Sequence, residues 1–264
     1  MSPATATAQP AAPPAATAGP RAIAGPTLGR LVRVELRKAS DTRSGRWLLA
    51  VATLVAAVVA IAIPIAVPQE DVVLSDVVQL ALLPYLVLLP IIGILLVTSE
   101  WSQRTALATF ALVPDRRRVV VAKVIAALAL TFAGLAIGLL AAVASTAVGG
   151  GEGAWNLSAG ELGQAVLAGV INMLWGLGFG LLLRSPAAAI VAYFALPTVF
   201  TVLGELISSL RSTWDWLDLN VPFMAISELR ASGDDWWQLL TAGTIWIVLP
   251  LVIGTALLLR REVK

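Results

Sequence analysis

The sequence predicts an all-α integral membrane protein with six transmembrane helices, and three observations carry that expectation. Of 264 residues, 58% are hydrophobic and 13% charged. Soluble domains run nearer to about 45–50% and about 25%, so two ordinary soluble domains are excluded. Six long runs carry no charge: 47–69, 77–99, 124–151, 162–183, 185–204 and 236–259, with 23, 23, 28, 22, 20 and 24 residues. About 20 helical residues cross ~30 Å of hydrocarbon, so each run is long enough, and none alternates apolar with polar as a membrane β-strand does. Finally, the charges are sorted. With six spans, the segments 1–46, 100–123, the turn at Arg184 and 260–264 hold 16 of the 18 basic residues, and the intervening segments hold 11 of the 16 acidic ones. The positive-inside rule then places both termini in the cytoplasm, and an odd number of spans would scramble the asymmetry.

Taken in order, residues 1–27 read as an Ala/Pro-rich disordered tail. Pro3, Pro10, Pro13, Pro14 and Pro20 fall within the first 20 residues, and proline breaks helices. The tail lacks the basic n-region and apolar h-region of a signal peptide. Run 47–69 is too long for such an h-region and is expected to be a retained first span.

Segment 28–46 reads as an amphipathic connecting helix, with its best periodicity over 28–43. At 100° per residue Leu28, Leu31, Val32, Leu36 and Ala39 share one arc, and Arg30, Arg33 and Arg37 lie opposite, with Lys38 next in sequence. A basic amphipathic helix joined to a span lies along a leaflet, its bases toward lipid head groups or a partner. Glu35 falls inside the apolar arc. It either snorkels to water or pairs with a base of the 100–123 segment.

The segment 100–123 is too long for a minimal hairpin and too apolar for a free loop. Glu100 and Arg104 stand four apart, in the favourable order for a helical ion pair. Ala106, Leu107, Phe110 and Val113 share one helical face. Pro114 ends that helix, and Asp115 can N-cap the next, which starts at Arg116 and continues into the third span. Two helices therefore meet at a Pro-Asp corner, which is either an anchor with a kink or a part that another protein pushes.

The domain 47–259 is otherwise sparsely polar. Thr98, Ser145, Asn172, Tyr193, Thr198 and Thr201 are scattered through the runs, and Glu205 follows the fifth. Carriers driven by protons or Na⁺ keep ionisable groups at mid-membrane, so this composition speaks against secondary transport. Gly176, Gly178 and Gly180 suit close helix approach, with packing inside the chain favoured over a dimer seam. Segment 205–235 is the sizeable piece on the acidic side. Trp214, Trp216, Trp236 and Trp237 in and beside it read as an interfacial belt, with a lid over an exit path as the alternative.

With no Cys and no His, thiol nucleophiles, Ser–His pairs and sites ligated by Cys or His are excluded. The lysines Lys38, Lys123 and Lys264 all fall on the basic side, so a Ser–Lys membrane enzyme is disfavoured. There is no Gly-x4-Gly-Lys-Ser/Thr phosphate loop.

Glu100, Arg104, Thr105, Pro114, Arg116 and Lys123 together form a pattern, Glu-x3-Arg-Thr-x8-Pro-x-Arg-x6-Lys. It resembles the segment after the second span in permease subunits of ABC-2 type exporters. Arg-Val-Glu-Leu-Arg-Lys at 33–38, with Asp-Thr-Arg at 41–43, looks like the family's interfacial helix. Gly178, Gly180, Arg184 and Ser185 match its Gly-rich fourth span and short basic turn. The resemblance covers about residues 28–264. Arg104 departs from it, since many members carry Gly before the Thr.

The resemblance implies a half-transporter of the bacterial plasma membrane without a nucleotide site of its own, and not an enzyme in itself. It would pair with a second permease copy, as a homo- or heterodimer, and with a separate ABC ATPase subunit that holds ATP and Mg. Glu100, Arg104, Thr105, Phe110, Pro114 and Arg116 would belong to ATPase coupling, through a cytoplasmic coupling helix from about Glu100 to Val113. Arg33, Glu35, Arg37 and Lys38 would belong to the interfacial helix, against membrane lipid. Segment 205–235 would include short re-entrant helices, and the substrate would be amphipathic or drug-like. No nucleic acid is implied. The alternative reading is a non-transporting scaffold, sensor or immunity subunit of an ABC complex.

Overall fold

The computed structural model describes residues 26–103, 105, 113, 115–207 and 211–260. The tail up to residue 25, Arg104, Phe110, Pro114 and the last four residues lie outside the described residues. All regular structure among the described residues is helical, and six helices are long and apolar enough to cross a membrane. The class this defines is a helical multi-pass membrane protein.

Helix α1 (Leu28–Asp41) turns the predicted arc inward except at its first residue, Leu28, which is exposed. Leu31, Val32, Leu36 and Ala39 pack on the core, while Arg30, Arg33 and Arg37 are exposed. Thr42 closes α1 and N-caps α2 (Arg43–Ala66), its hydroxyl accepting the Gly45 N–H at 3.2 Å. Gly45 is required at this corner, because any Cβ would overlap the Ala39 carbonyl oxygen. The other membrane-length elements are α3 (Leu74–Ser102), α4 (Arg116–Gly149), α5 (Ala159–Leu183), α6 (Pro186–Leu206) and the stretch Asp235–Arg260. That last stretch is α9 (Asp235–Gly243), a π-helical turn (Thr244–Val248) and α10 (Leu249–Arg260). Two short helices, α7 (Arg211–Trp214) and α8 (Asn220–Ser227), stand between α6 and α9.

Helices α3 and α5 form the centre. α3 packs on α2, α4, α5 and α6, and α5 packs on α3, α4, α6, α8 and α10. Between helices in lipid the hydrophobic drive is largely absent, and close van der Waals packing takes its place. The glycines of α5 supply that approach. A Cβ on Gly176 would stand 2.7 Å from the Pro90 carbonyl oxygen of α3, and one on Gly178 would stand 3.2 Å from Pro250 of α10. Gly176, Gly178 and Gly180 thus serve packing within the chain, as expected.

Pro90 interrupts α3 and lacks the N–H that would serve the Leu86 carbonyl. The Asn172 side-chain amide of α5 donates to that carbonyl, and the Tyr193 hydroxyl of α6 donates to Asn172 Oδ1. An unpaired carbonyl in hydrocarbon is costly, so this neutral relay explains how Pro90 is tolerated inside α3 and why Asn172 sits mid-span.

Candidate functional site

At the basic end, three distant parts of the chain meet in a buried cluster of four charges. Glu35 comes from α1, Glu100 from the last turn of α3, and Lys123 from the second turn of α4. Lys38, one helical turn beyond Glu35, closes the group. Lys123 Nζ is 2.8 Å from Glu35 Oε2 and 3.2 Å from Glu100 Oε1, and it donates to the Leu96 carbonyl at 2.9 Å. Lys38 Nζ is 2.8 Å from Glu35 Oε1 and 2.7 Å from Glu100 Oε1. Glu35 and Glu100 are each 4% exposed and Lys123 is 2% exposed.

Among the described residues two carboxylates meet two ammoniums, and this charge balance allows them to be buried. Losing one member would strand a charge, at a cost of roughly 3–5 kcal/mol. Lys38 is the semi-exposed member. Burial pulls its pKa down, but the charges and hydrogen bonds of Glu100 and Glu35 outweigh this and hold it above the ordinary lysine value.

Other contacts extend the clamp. Arg116 Nη1 donates to the Leu258 carbonyl of α10 at 3.0 Å. Arg118 Nη2 donates to the Pro26 carbonyl just ahead of α1 at 2.8 Å. The Arg184 guanidinium, at the α5–α6 turn, stands 5.2 Å from the Trp101 ring centroid at the end of α3, within cation–π range. Asp115 caps α4 as expected, its Oδ1 accepting the N–H groups of Arg117 at 3.1 Å and Arg118 at 3.4 Å.

These positions sort the sequence-derived residues. Glu35 pairs with a base of the 100–123 segment, the sharper of the two expectations. Lys38 and Glu100 join it, while Arg116, at the start of α4, reaches the Leu258 carbonyl of α10. Arg33 and Arg37 stay on the exposed face of α1. The helix that carries Glu100 is α3 itself, which ends at Ser102 with Gln103 as its C-cap, and the exposed Thr105 donates its N–H to the Glu100 carbonyl at 2.9 Å. The expected coupling helix falls largely on residues outside the described ones, as do Arg104, Phe110 and Pro114.

Sequence reasoning counted Lys123 among the bases of the 100–123 segment without singling it out as the partner of Glu35, and missed the Lys38–Glu100 pair. One signal was available: in a chain that otherwise uses Arg, two of the three lysines are cluster members. A compact ammonium fits between two buried carboxylates where a guanidinium fork is larger and more rigid. Among the described residues no group of three or more His, Cys, Asp or Glu converges as a metal site.

The acidic end is held differently. The Gln164 side chain brackets Ala231, accepting its N–H at 2.9 Å and donating to its carbonyl at 3.4 Å. Trp214 stacks on Phe200 and donates to the Phe200 carbonyl at 2.9 Å. Trp246 donates to the Leu217 carbonyl at 2.8 Å. Trp214 is thus used for packing within the chain, while Trp216, Trp236 and Trp237 are exposed, as an interfacial belt requires.

No family model matches the chain, and a search of curated proteins finds no match.

Proposed function

We propose that this chain is the permease subunit of an ATP-driven ABC-2 type exporter. It works with a second permease copy and a separate ATPase that binds ATP and Mg, in a bacterial plasma membrane with its basic end in the cytoplasm. The observation that carries the reading is the buried Glu35–Lys38–Glu100–Lys123 cluster. It joins the interfacial helix to the ends of α3 and α4, the two helices from which segment 103–115 springs. A force applied to that segment is delivered to a stiff junction and not dissipated in a loop.

In this mechanism ATP closes the partner ATPases and displaces the corner near Pro114. The clamp carries α1, α3 and α4 together, and the two permease copies open outward. Glu100, being buried, contributes by fixing the origin of the segment. Arg104, Thr105 and Phe110 are the residues assigned to contact the ATPase. The cargo is an apolar or amphipathic molecule, consistent with spans whose polar groups are few.

The test is purification of the tagged chain from its native membrane. An ATPase subunit is expected to co-purify, and Phe110→Asp and Arg104→Glu are expected to lose it while still inserting. A chain that carries no ATPase, or variants that retain it fully, would refute the coupling role. ATP-dependent movement of cargo by the reconstituted complex separates an exporter from a non-transporting sensor subunit.

A further inference from the structure

A cavity of about 530 Å³ opens beside the ionic cluster, between the α1–α2 corner and α3. We propose that it binds an anionic phospholipid of the leaflet at the basic end, with the head-group phosphate at the corner and the glycerol and upper acyl chain along α3. Its lining has two chemically distinct sides. One is cationic and donor-rich: Arg43, Ser44 and Lys38. The other runs along α3, apolar at Ile92, Leu95 and Leu96 and polar toward the helix end at Ser99, Ser102 and Gln103.

On the polar side, Arg43 is exposed and has no acidic partner among the described residues. Lys38 Nζ uses two of its three donors on Glu35 and Glu100, and its side chain is 34% exposed, which leaves a donor toward the cavity. The first turn of the 24-residue α2 opens here as well. Thr42 satisfies the Gly45 N–H, so the amides of Arg43 and Ser44 remain for an anion at the positive end of the helix dipole. Asp41 is not part of the cavity lining; it lines an adjoining groove that shares Lys38 and Thr42 with the cavity, where Arg37 stands beside it.

The apolar side selects among anions. Free phosphate would satisfy Arg43 but leave the α3 wall uncovered, whereas a phosphate carrying an acyl glycerol covers both. The volume lies within the usual range for a specific small-molecule site. Location agrees, since the cavity sits where a helix along the leaflet meets a helix that crosses it. The site requires only the membrane reading and stands whether or not an ATPase docks on segment 103–115.

Native mass spectrometry of the full chain, released from micelles doped with phosphatidylglycerol or phosphatidylcholine, tests this. Wild type is expected to retain phosphatidylglycerol in preference. Arg43→Gln is expected to weaken retention about fivefold to tenfold, the effect of one basic contact. Arg46→Gln, equally basic but not part of the lining, is expected to retain lipid as wild type does. Inorganic phosphate at millimolar concentration is expected neither to displace the lipid nor to raise the melting temperature. Equal retention of the two lipids, equal loss in both arginine variants, or full replacement of the lipid effect by inorganic phosphate would each overturn the proposal.

Discussion

The two ends of the bundle hold themselves together by opposite means. At the basic end four charges are packed into one site, and among the described residues Glu35 and Glu100 pair with lysines from another turn or another helix. At the acidic end the contacts are neutral and dispersed: the Gln164 amide on Ala231, the Trp214 indole on Phe200, the Trp246 indole on Leu217. The ion pair found there among the described residues, Arg230–Glu228, has side chains 64% and 41% exposed, a setting in which such pairs contribute little. A concentrated ionic junction behaves as a unit, because removing one member leaves its partners buried and uncompensated. A dispersed set of hydrogen bonds yields piecemeal. The end proposed to receive force is therefore the end built to move as one body.

The largest effect that would break this comparison is expected from Lys123→Met. It leaves two buried carboxylates to one lysine and should cost roughly 3–5 kcal/mol, read as a lowered denaturation midpoint in mixed micelles. Adding Glu35→Gln should recover part of that loss, because the pair is non-additive. If the double variant is as unstable as the sum of the singles, the cluster is not a unit.

Alkaline titration sharpens the same point through Lys38. Its pKa is raised above the lysine reference of 10.5. The stabilisation it gives is therefore complete below that reference and lost as pH rises through the still higher folded value. A single cysteine at Ser99, in a chain that has none of its own, should keep constant thiol accessibility from neutral pH to about pH 10, once its own thiolate fraction is corrected for. A rise in accessibility near neutral pH would contradict the clamp.

A smaller effect is expected at the other end. Gln164→Leu should cost about 0.5–1.5 kcal/mol, the ordinary net worth of a hydrogen-bonded side chain, and its effect should add to that of Trp214→Phe. Losses there as large as those from Lys123→Met would erase the distinction between the two ends.

Much of this architecture was legible in the chain. The uncharged runs marked all six membrane-length helices to within a turn or so at most ends, because charge is excluded from hydrocarbon. Asp115 announced its cap, and Glu35 inside an apolar arc left two readings, of which pairing with a base of the 100–123 segment is the one found. The Asn172 relay was not legible, because it depends on which carbonyl Pro90 frees and which helix lies opposite. The bracketing of Ala231 by Gln164 was hidden for a similar reason: a long-range contact to backbone leaves no periodic trace. Trp214 looked like its three belt neighbours in composition alone, and only the position of Phe200 on α6 separates it from them.

The central claim is that the ionic junction faces the compartment where ATP is found. Two single-cysteine variants test it in intact cells with a membrane-impermeant maleimide: Thr105→Cys at the basic end and Glu152→Cys at the acidic end, both at exposed positions. The account predicts that Glu152→Cys is labelled from outside, and that Thr105→Cys is labelled only after the membrane is permeabilised. Labelling of Thr105→Cys in sealed cells, with Glu152→Cys protected, would contradict it.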